Sequence, residues 1–192
     1  MFRSCQKVVE WMDGYDHPWG IAGGWAIDLF VGNETRDHSD IEIAILREDQ
    51  QRMKHGLNGW SFQKVVKGEL VDWESEPLEL PIHELHGFHG KSGERLEVLL
   101  NEVQEDRWVF RRNPTITFPS STLFLTSEEG IPFLHPAVVL LYKAKIAREK
   151  DHADFQAMKN LLSVKDRQWL CHALETHVPG HAWISQLRGV VV

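Results

Sequence analysis

The sequence predicts an α+β fold, in which a mixed β-sheet with flanking helices is followed by a small helical region. Two observations lead to this prediction. Apolar runs typical of strands recur through residues 41–118, and apolar residues at helical spacing dominate from Pro136 onward. A length of 192 residues is enough for one domain with a small helical lobe. We therefore expect an α/β core over residues 1–125 and a helical region over residues 126–192.

The first part of the chain contains two predicted helices separated by a glycine turn. Apolar residues within 2–12 recur at helical spacing, and Gly14 closes that segment. Residues 20–24 are a short apolar segment that leads into a glycine turn. The second helix is predicted over Trp25–Val31, because Gly32 stands where a C-terminal stop is expected.

The middle of the chain is predicted to supply the strands, with a charged surface helix over residues 47–57. The expected strand ranges are 41–46, 60–66, 81–85, 96–103, 108–112 and 115–118. Most of residues 71–89 is expected to be irregular, because this segment is rich in Pro and Glu. Helices follow at residues 136–146, 151–162 and 166–177, before a short tail that ends in Val190–Val192.

Composition excludes several classes of protein. No apolar stretch approaches the roughly 20 residues that a membrane span needs. The apolar pair Val8–Val9 is flanked by Lys7 and Glu10, so no signal-peptide core is expected. Two cysteines, Cys5 and Cys171, cannot make a disulfide framework. These features together predict a cytoplasmic protein.

The charge balance argues against a nucleic-acid partner. The chain has 21 basic and 28 acidic residues, a net charge of -7, so it is poorly suited to neutralise phosphates along a nucleic acid. The acid is concentrated in residues 69–106, which hold eleven Asp and Glu against two Lys and Arg. Two interpretations stay open: a solvated surface, or a surface that attracts a cationic small molecule.

Three acidic residues suggest a metal site. Asp40 and Glu42 are two positions apart at the start of an apolar strand, so their side chains share a face. Neighbouring carboxylates repel each other, and Mg²⁺, completed by substrate phosphates, removes that repulsion. Glu97 lies in another apolar strand, and if the two strands are neighbours the three carboxylates converge. Such a site suits nucleotidyl transfer, with Glu97 as metal ligand, as base for an attacking hydroxyl, or as both.

A glycine pair and two basic residues are candidates for binding phosphate. Gly23 and Gly24 precede a helix N-terminus, where backbone N–H groups can approach a triphosphate closely; a plain turn is the alternative. Arg36 either meets nucleotide phosphates or forms a salt bridge with a carboxylate of its own loop. Lys143 either reaches phosphate or faces solvent. Asp151, with a partner three residues later, is interpreted as a structural helix N-cap.

Several motifs then resemble a known family. The block Gly23-Gly24-Trp25-Ala26-Ile27-Asp28, followed by Arg36-Asp37-His38-Ser39-Asp40-Ile41-Glu42-Ile43, is similar to the signature of aminoglycoside and lincosamide adenylyltransferases. These enzymes belong to the polymerase-β-like nucleotidyltransferase superfamily. Two later blocks, Leu96–Leu99 and Lys150–Phe155, also look similar, so the resemblance covers roughly residues 20 to 160.

The resemblance implies a nucleotidyltransferase-like mixed sheet and an enzyme that moves a nucleoside monophosphate from Mg²⁺-bound NTP to a substrate hydroxyl. ATP is the donor that it implies, and the acceptor would be an aminoglycoside-like or lincosamide-like antibiotic. Asp40 and Glu42 match the paired metal carboxylates, and Glu97 matches the third. Gly23 and Gly24 match the phosphate-facing turn.

One departure from the family pattern leaves alternatives open. Glu42 and Glu97 stand where the family frequently has Asp, and each extra methylene moves a carboxylate by more than the roughly 0.5 Å tolerance of a catalytic site. Either the strands sit further apart to compensate, or the chain is a weak or inactive binding protein with the same fold. A toxin–antitoxin-type nucleotidyltransferase, with a protein or RNA acceptor, is a further alternative.

Overall fold

The structure, a computed structural model, describes residues 1–189; the predicted tail at Val190–Val192 lies outside this range. The helices of the described part are α1 (Arg3–Trp11), α2 (Gly23–Val31), α3 (Gln50–Gly56), α4 (Pro136–Lys143), α5 (Glu149–Met158), α6 (Val164–His177) and α7 (Ala182–Arg188). The strands are β1 (Trp19–Ile21), β2 (Glu42–Leu46), β3 (Trp60–Val66), β4 (Glu69–Asp72), β5 (Glu84–His89), β6 (Arg95–Gln104), β7 (Arg107–Val109), β8 (Thr117–Pro119), β9 (Phe124–Thr126) and β10 (Pro132–Leu134).

These strands form one mixed sheet, which confirms the predicted α+β class. Its order is β4-β3-β5-β6-β2-β1-β10-β9, and β7 and β8 extend it from β6. The pairs β2–β6 and β1–β10 are parallel, and the other pairs are antiparallel. The strands β2 and β6 lie in the interior of the sheet, which explains why both read as nearly continuous apolar runs.

Helix α2 lies between the sheet and the C-terminal helices. It packs on β1, β2 and β10 on one side and on α4 and α5 on the other. Because it is covered from both sides, its residues from Gly24 to Leu29 are all buried, Asp28 included. Asp28 is compensated there, since it accepts hydrogen bonds from Thr35 at 2.5 Å and from the His38 ring at 2.6 Å. This packing holds the N-terminus of α2 against the start of β2.

The C-terminal helices pack against one another and against α2. Helix α4 contacts both α2 and α6, and α7 packs on α6. The rings of Phe155 and Trp183 stack in parallel, with centroids 4.4 Å apart, and join α5 to α7. None of the helices in residues 1–189 combines the length and the apolar character of a membrane span.

The structure corrects the predicted elements in several places. The segment 71–89 is less irregular than predicted: it includes the end of β4, and its strand is 84–89 rather than 81–85, because Pro81 has no N–H to donate to a ladder. The strands β1, β4, β9 and β10 and the helix α7 were not predicted. The expected boundary at residue 125 falls inside β9, and the strand content of the sheet continues to Leu134.

Candidate active site

Two neighbouring strands supply the three acidic residues. Glu42 and Glu97 are direct register partners in the parallel pair β2–β6, so their side chains leave the same face of the sheet. The backbone N–H of Glu97 donates to the carbonyl oxygen of Ile41 at 3.0 Å, a bond that holds this register. Asp40 lies in the loop immediately before β2. The three acids therefore lie at the same end of two adjacent strands.

The two glutamates are electrostatically uncompensated. Within residues 1–189, neither carboxylate has a hydrogen bond or an ion pair. Burial raises the pKa of Glu42, and the negative charges of Glu84 and Asp40 raise it further against the opposing charge of Lys143. Burial also raises the pKa of Glu97, and the facing charge of Glu42 adds to the effect. A cation bound between these groups would remove the repulsion that both pKa values reflect.

The three carboxylates are the type of ligand that Mg²⁺ prefers, but they do not surround a single metal position. Asp40 is turned toward its neighbour, and accepts a 2.6 Å hydrogen bond from the Ser39 hydroxyl. In the described part of the chain, no three acidic, His or Cys side chains are arranged to hold a metal ion by themselves. Mg²⁺ is commonly held by one or two carboxylates and completed by water and substrate phosphates, so hard oxygen donors with an open side suit it.

Gly23 makes room for the Glu42 carboxylate. Its φ is +61°, and a Cβ there would lie 1.6 Å from Oε2 of Glu42. Any other residue would be strained at this φ and would displace that carboxylate. The absence of a Cβ at Gly23 therefore leaves the Glu42 carboxylate its space beside the turn.

The N-terminus of α2 is open at the same place. Ala22 is its N-cap residue, and no side chain caps the helix. Free N–H groups at a helix N-terminus favour an anion. A Cβ on Gly24 would lie 2.3 Å from an Arg36 Nη atom and 2.5 Å from the His38 ring, so this glycine allows both side chains to approach the helix.

Arg36 and Lys143 are held by carboxylates of α5. Arg36 makes a bidentate pair with Asp154, with nitrogen–oxygen distances of 2.9 and 3.1 Å. Lys143 lies 2.9 Å from both Asp151 and Asp154. Burial opposes ionisation of Asp154, but the hydrogen bonds from Arg36 and the charge of Lys143 outweigh it and lower its pKa. These contacts fix the positions of the Arg36 and Lys143 side chains. From the sequence alone, both were only candidates for contact with the phosphates of a nucleotide.

Two expectations about this network were wrong. The partner of Arg36 is not a carboxylate of its own loop but Asp154, 118 residues away. Asp151 is not the N-cap of α5: that position is Arg148, and the Asp151 carboxylate accepts its backbone N–H at 3.0 Å. Burial opposes this charge too, yet hydrogen bonds from Arg148 and Lys143 hold the pKa of Asp151 at about 2.

One cavity of about 480 Å³ is lined by these groups, apart from the buried Asp154, which is not part of its wall. Its wall includes the three acids, both glycines and seven basic side chains, an unusual concentration in a chain of net charge -7. The basic residues are Arg36, Arg111, Arg112, Lys143, Lys145, Arg148 and Lys150. Burial lowers the pKa of Arg111 and of Arg112, and within residues 1–189 neither has a carboxylate partner. The cavity therefore complements a multiply charged anion placed beside the carboxylates.

A second cavity, of about 950 Å³, shares part of its wall with the first. Asp40 and Glu97 line both cavities, whereas Glu42 lines only the first. The wall of the second cavity is formed by α1 and by the face of β3, β4 and β5 that continues from the acids. Asp40 and Glu97 are thus accessible from both cavities.

A family model described as aminoglycoside-2''-adenylyltransferase matches residues 4–158. The chain belongs to this family. It is therefore a member of the antibiotic nucleotidyltransferases, as the motifs around Gly23 and Asp40 predicted. A curated relative, a lincosamide resistance protein of Staphylococcus haemolyticus, is 24% identical over 161 residues, which are 81% of this chain and 86% of that protein.

Solved structures of two such enzymes share the fold. The lincosamide antibiotic adenylyltransferase LnuA, bound to lincomycin, matches with a TM-score of 0.58 and 18% identity, over 84% of this chain and 98% of that one. ANT(2'')-Ia in complex with adenylyl-2''-tobramycin matches with a TM-score of 0.59 and 14% identity, over 90% and 96% of the two chains. The predicted nucleotidyltransferase-like fold is confirmed.

Sequence reasoning missed much of the basic wall. The pair Arg111 and Arg112 follows a three-residue strand, and its only sequence signal is a tandem of arginines between short apolar segments. Asp154 had a clearer signal, since it follows Asp151 by three residues and therefore shares its helix face. That spacing is equally common in solvated helices, and only the contact with Arg36 distinguishes the two cases.

Proposed function

We propose that the chain is a Mg²⁺-dependent adenylyltransferase, which moves AMP from ATP to a hydroxyl group of a small antibiotic-like molecule. The observation that carries this proposal is the first cavity, where three carboxylates, an uncapped helix N-terminus and seven basic side chains share one wall. A nucleoside triphosphate with its metal ion has the alternating charges that such a wall complements. Membership of the family supports the reaction class.

The triphosphate would lie along the glycine turn and the basic wall. Backbone N–H groups of Gly23 and Gly24 are the nearest donors of α2, and Arg36 and Lys143 stand beside them in the same cavity. Asp154 is a positioning residue, because it holds both cations in place through its two oxygens. Prearranged cations lose less side-chain entropy when phosphate binds than free ones do.

Asp40, Glu42 and Glu97 would hold the magnesium. When bound, the ion would neutralise charge on the phosphates and on the leaving pyrophosphate. The residues themselves supply position: Glu42 is held against Gly23, and Glu97 borders both cavities. Glu97 is also a candidate proton acceptor, since it borders both cavities and can face an attacking hydroxyl.

The transfer step balances without any further reactant. The acceptor hydroxyl oxygen attacks the α-phosphorus, its proton passes to Glu97, and the new O–P bond forms as the bond to the β-phosphate oxygen breaks. Pyrophosphate leaves with the electron pair of that bond, and the products are adenylylated acceptor and pyrophosphate. A resistance role follows if the modified hydroxyl is one that the antibiotic needs, and we assign the reaction to the cytoplasm, where ATP is available.

The proposal is tested with α-labelled ATP, Mg²⁺ and two acceptors, lincomycin and tobramycin. Wild type should give labelled antibiotic, and EDTA should abolish the product. Asp40→Asn should lower the rate on the order of 10³-fold, since metal coordination contributes several kcal/mol to such transfers. The matched control is Asp37→Asn in the same loop, because the Asp37 side chain lines neither cavity.

The outcomes separate this function from the binding-protein alternative. Nucleotide binding without any labelled product, unchanged in Asp40→Asn, would contradict an enzymatic role and support a non-catalytic binder. A labelled macromolecule recovered instead of labelled antibiotic would contradict the small-molecule acceptor. Loss of product in Asp40→Asn with retention in Asp37→Asn is the result that the proposal requires.

A further inference from the structure

Three side chains at the junction of α5 and α7 form a cluster that the proposed reaction does not use. Trp183 is completely buried, and its indole Nε1–H donates to Nδ1 of His152 at 2.9 Å. Its backbone N–H donates to Nδ1 of His181, the N-cap residue of α7, at 3.2 Å. We call His152, His181 and Trp183 the histidine latch. Two of the three lie beyond residues 4–158, the part of the chain that the family model matches.

Both hydrogen bonds of the histidine latch require a neutral imidazole. An indole N–H and a backbone N–H can only donate, so each Nδ1 atom must present a lone pair. Protonation occupies that lone pair, and the imidazolium then faces a donor from which it can no longer accept. The ordinary pKa of histidine, about 6.5, lies just below neutral pH. Mild acid should therefore break both bonds.

No neighbouring carboxylate compensates a charge on the latch. Within residues 1–189, neither His152 nor His181 pairs with an acid. The charged side chains around them have other partners: Lys159 of α5 donates to a glutamine of α7 at 3.0 Å, Glu175 of α6 pairs with Arg188 of α7, and the buried aspartates of α5 bind cations of the first cavity. Burial, followed by the charge of His152, lowers the pKa of His181. The two imidazole rings are stacked with centroids 6.5 Å apart, so two positive charges there would repel each other.

His135 is a compensated histidine in the same helical region. It is the N-cap residue of α4, and its Nδ1 accepts from the backbone N–H of Ala137 at 3.2 Å. Its Nε2 lies 3.6 Å from Asp166, whose charge opposes the lowering of the His135 pKa by burial. A protonated His135 would keep a partner that neither histidine of the latch has. We therefore place the response to acid at α7 and not at the start of α4.

The histidine latch supports the side of α5 that faces the first cavity. Phe155 stacks on Trp183 and directly follows Asp154, the carboxylate that two cations of the cavity share. His152 directly follows Asp151, the second carboxylate of that network. Helix α7 also packs on α6, and α6 packs on α4, which carries one of the two cations. Release of α7 would thus loosen both helices that position these cations.

We propose that the histidine latch is a pH-sensitive brace of the first cavity, which is closed while both imidazoles are neutral and opens when they are protonated. When it is closed, α7 holds α5 where its aspartates fix Arg36 and Lys143. When it is open, these side chains are less ordered and bind an anion more weakly. Because the pKa of His181 is lowered in the fold, the stability that the latch contributes is present at neutral pH and is lost as the pH falls through about 6.5. The effect on nucleotide binding rests on the proposed function, whereas the latch itself does not.

Two N–H signals in ¹H–¹⁵N NMR spectra of the full chain test this proposal between about pH 7.5 and about pH 5.5. The indole signal of Trp183 reports a bond of the latch, and the Nε–H signal of Arg36 reports its bond to Asp154. Trp183→Phe and Arg36→Lys identify the two signals. If either variant does not fold, nuclear Overhauser contacts with Phe155 and with Gly24 identify them instead. Both signals should move in wild type as the pH falls.

The decisive variant is His152→Asn/His181→Asn. The amide oxygen of asparagine can accept a hydrogen bond in place of Nδ1 without titrating, and asparagine is a preferred N-cap residue. Both signals should stay in place in this variant, and His152→Asn alone serves if the double variant does not fold. His172→Asn, at an exposed position of α6, is the matched control and should behave as wild type.

Three NMR outcomes would overturn the proposal. The first is that neither signal moves in wild type, and the second is that both move equally in wild type and in the double variant. The third is that the Trp183 signal moves without that of Arg36, because the latch would then not act on the cations of the first cavity.

Nucleotide binding separates this inference from the proposed function. Calorimetry at the same two pH values measures the affinity for a non-hydrolysable ATP analogue with Mg²⁺. The loss of affinity in acid should be about fivefold larger in wild type than in His152→Asn/His181→Asn. Titration of Glu42 and Glu97 affects both proteins and cancels in this comparison. An equal loss in both would overturn the brace, whereas the expected NMR response in a protein that binds no nucleotide would support the latch and contradict the proposed function.

Discussion

Two groups of carboxylates lie in or next to the wall of the first cavity and differ in what surrounds them. Glu42 and Glu97 face each other across parallel strands. Within residues 1–189 no basic side chain forms an ion pair with either carboxylate, and the pKa values of both are raised. Asp151 and Asp154 lie on a helix, receive hydrogen bonds from Arg36, Lys143 and Arg148, and have lowered pKa values. The same chemical group is stabilised as an anion in one place and destabilised in the other.

This difference separates the strand carboxylates, which are proposed to bind the metal, from the helix carboxylates, which stabilise the fold. The helix carboxylates are already paired, so removing them should damage the fold. The strand carboxylates are unpaired, so removing them should damage binding and catalysis while relieving repulsion in the free protein. Each prediction below tests one side of this contrast.

The largest effect is expected for Glu97→Gln. The substitution keeps the shape of the side chain but removes both the charge and the proton acceptor, so adenylyl transfer should fall on the order of 10³-fold or more. The thermal midpoint should not fall. Glu105→Gln, in an exposed turn after β6, is the control and should keep full activity. Wild-type rates in Glu97→Gln would remove this residue from the proposed mechanism.

Next in size is the loss of stability in Asp154→Asn. Arg36 would lose its carboxylate partner and Lys143 one of its two, and breaking a pair around the buried Asp154 costs about 3 kcal/mol. Urea unfolding monitored by tryptophan fluorescence measures the change. Glu149→Gln on the same helix, which is exposed, should change stability by less than about 0.5 kcal/mol. Equal stability of the two variants would show that the network is not structural.

A smaller effect is expected for Gly23→Ala, measured against Gly32→Ala. Gly23 is the first residue of α2 and Gly32 is its C-cap, and both have positive φ. A Cβ at Gly32 meets nothing within 4 Å, whereas one at Gly23 meets the Glu42 carboxylate. Both variants should lose about 1 kcal/mol of stability through backbone strain. Gly23→Ala alone should lose activity, by about tenfold to a hundredfold. An equal activity of the two variants would mean that the approach of Glu42 to the turn has no functional importance.

The smallest effect is expected for Glu42→Gln. It has the opposite sign to the other predictions, because this substitution should stabilise the protein. Because burial raises its pKa, Glu42 destabilises the metal-free fold once pH rises through the ordinary glutamate range and the group ionises. Glu42→Gln should therefore raise Tm at neutral pH by about 3 °C, the shift that 1 kcal/mol produces in a chain of this size. In acid, where both side chains are uncharged, the gain should vanish.

The control for this prediction is Glu48→Gln, an exposed position just after β2. It should leave Tm unchanged at both pH values. A lower Tm of Glu42→Gln at neutral pH would contradict the claim that the strand carboxylates are uncompensated.

The sequence was most informative where a pattern is local. The strands around Ile43 and Val98 and the helix that ends at Gly32 are visible because burial and glycine stops act over a few residues. The pairing of Glu42 with Glu97 was conditional on the two strands being neighbours, and the structure meets that condition. Their roles as metal ligands stay predictions.

What could not be predicted depends on contacts between distant segments. The pairing of Arg36 with Asp154 spans 118 residues, and no local spacing indicates it. Glu97, His86, Gln63 and Asp72 share one face of the sheet only because strand order and register align the four strands β6, β5, β3 and β4. The strand β1, three residues long, is defined by its partners on both sides and not by its own sequence.

The central claim is that Glu42 and Glu97 form an anionic pair that recruits a metal together with the nucleotide. Calorimetric titration with a non-hydrolysable ATP analogue, with and without Mg²⁺, measures this directly in wild type and in the double variant Glu42→Gln/Glu97→Gln. Mg²⁺ should strengthen binding to wild type by at least about tenfold and have no such effect on the double variant. The same enhancement by Mg²⁺ in both proteins would contradict the claim.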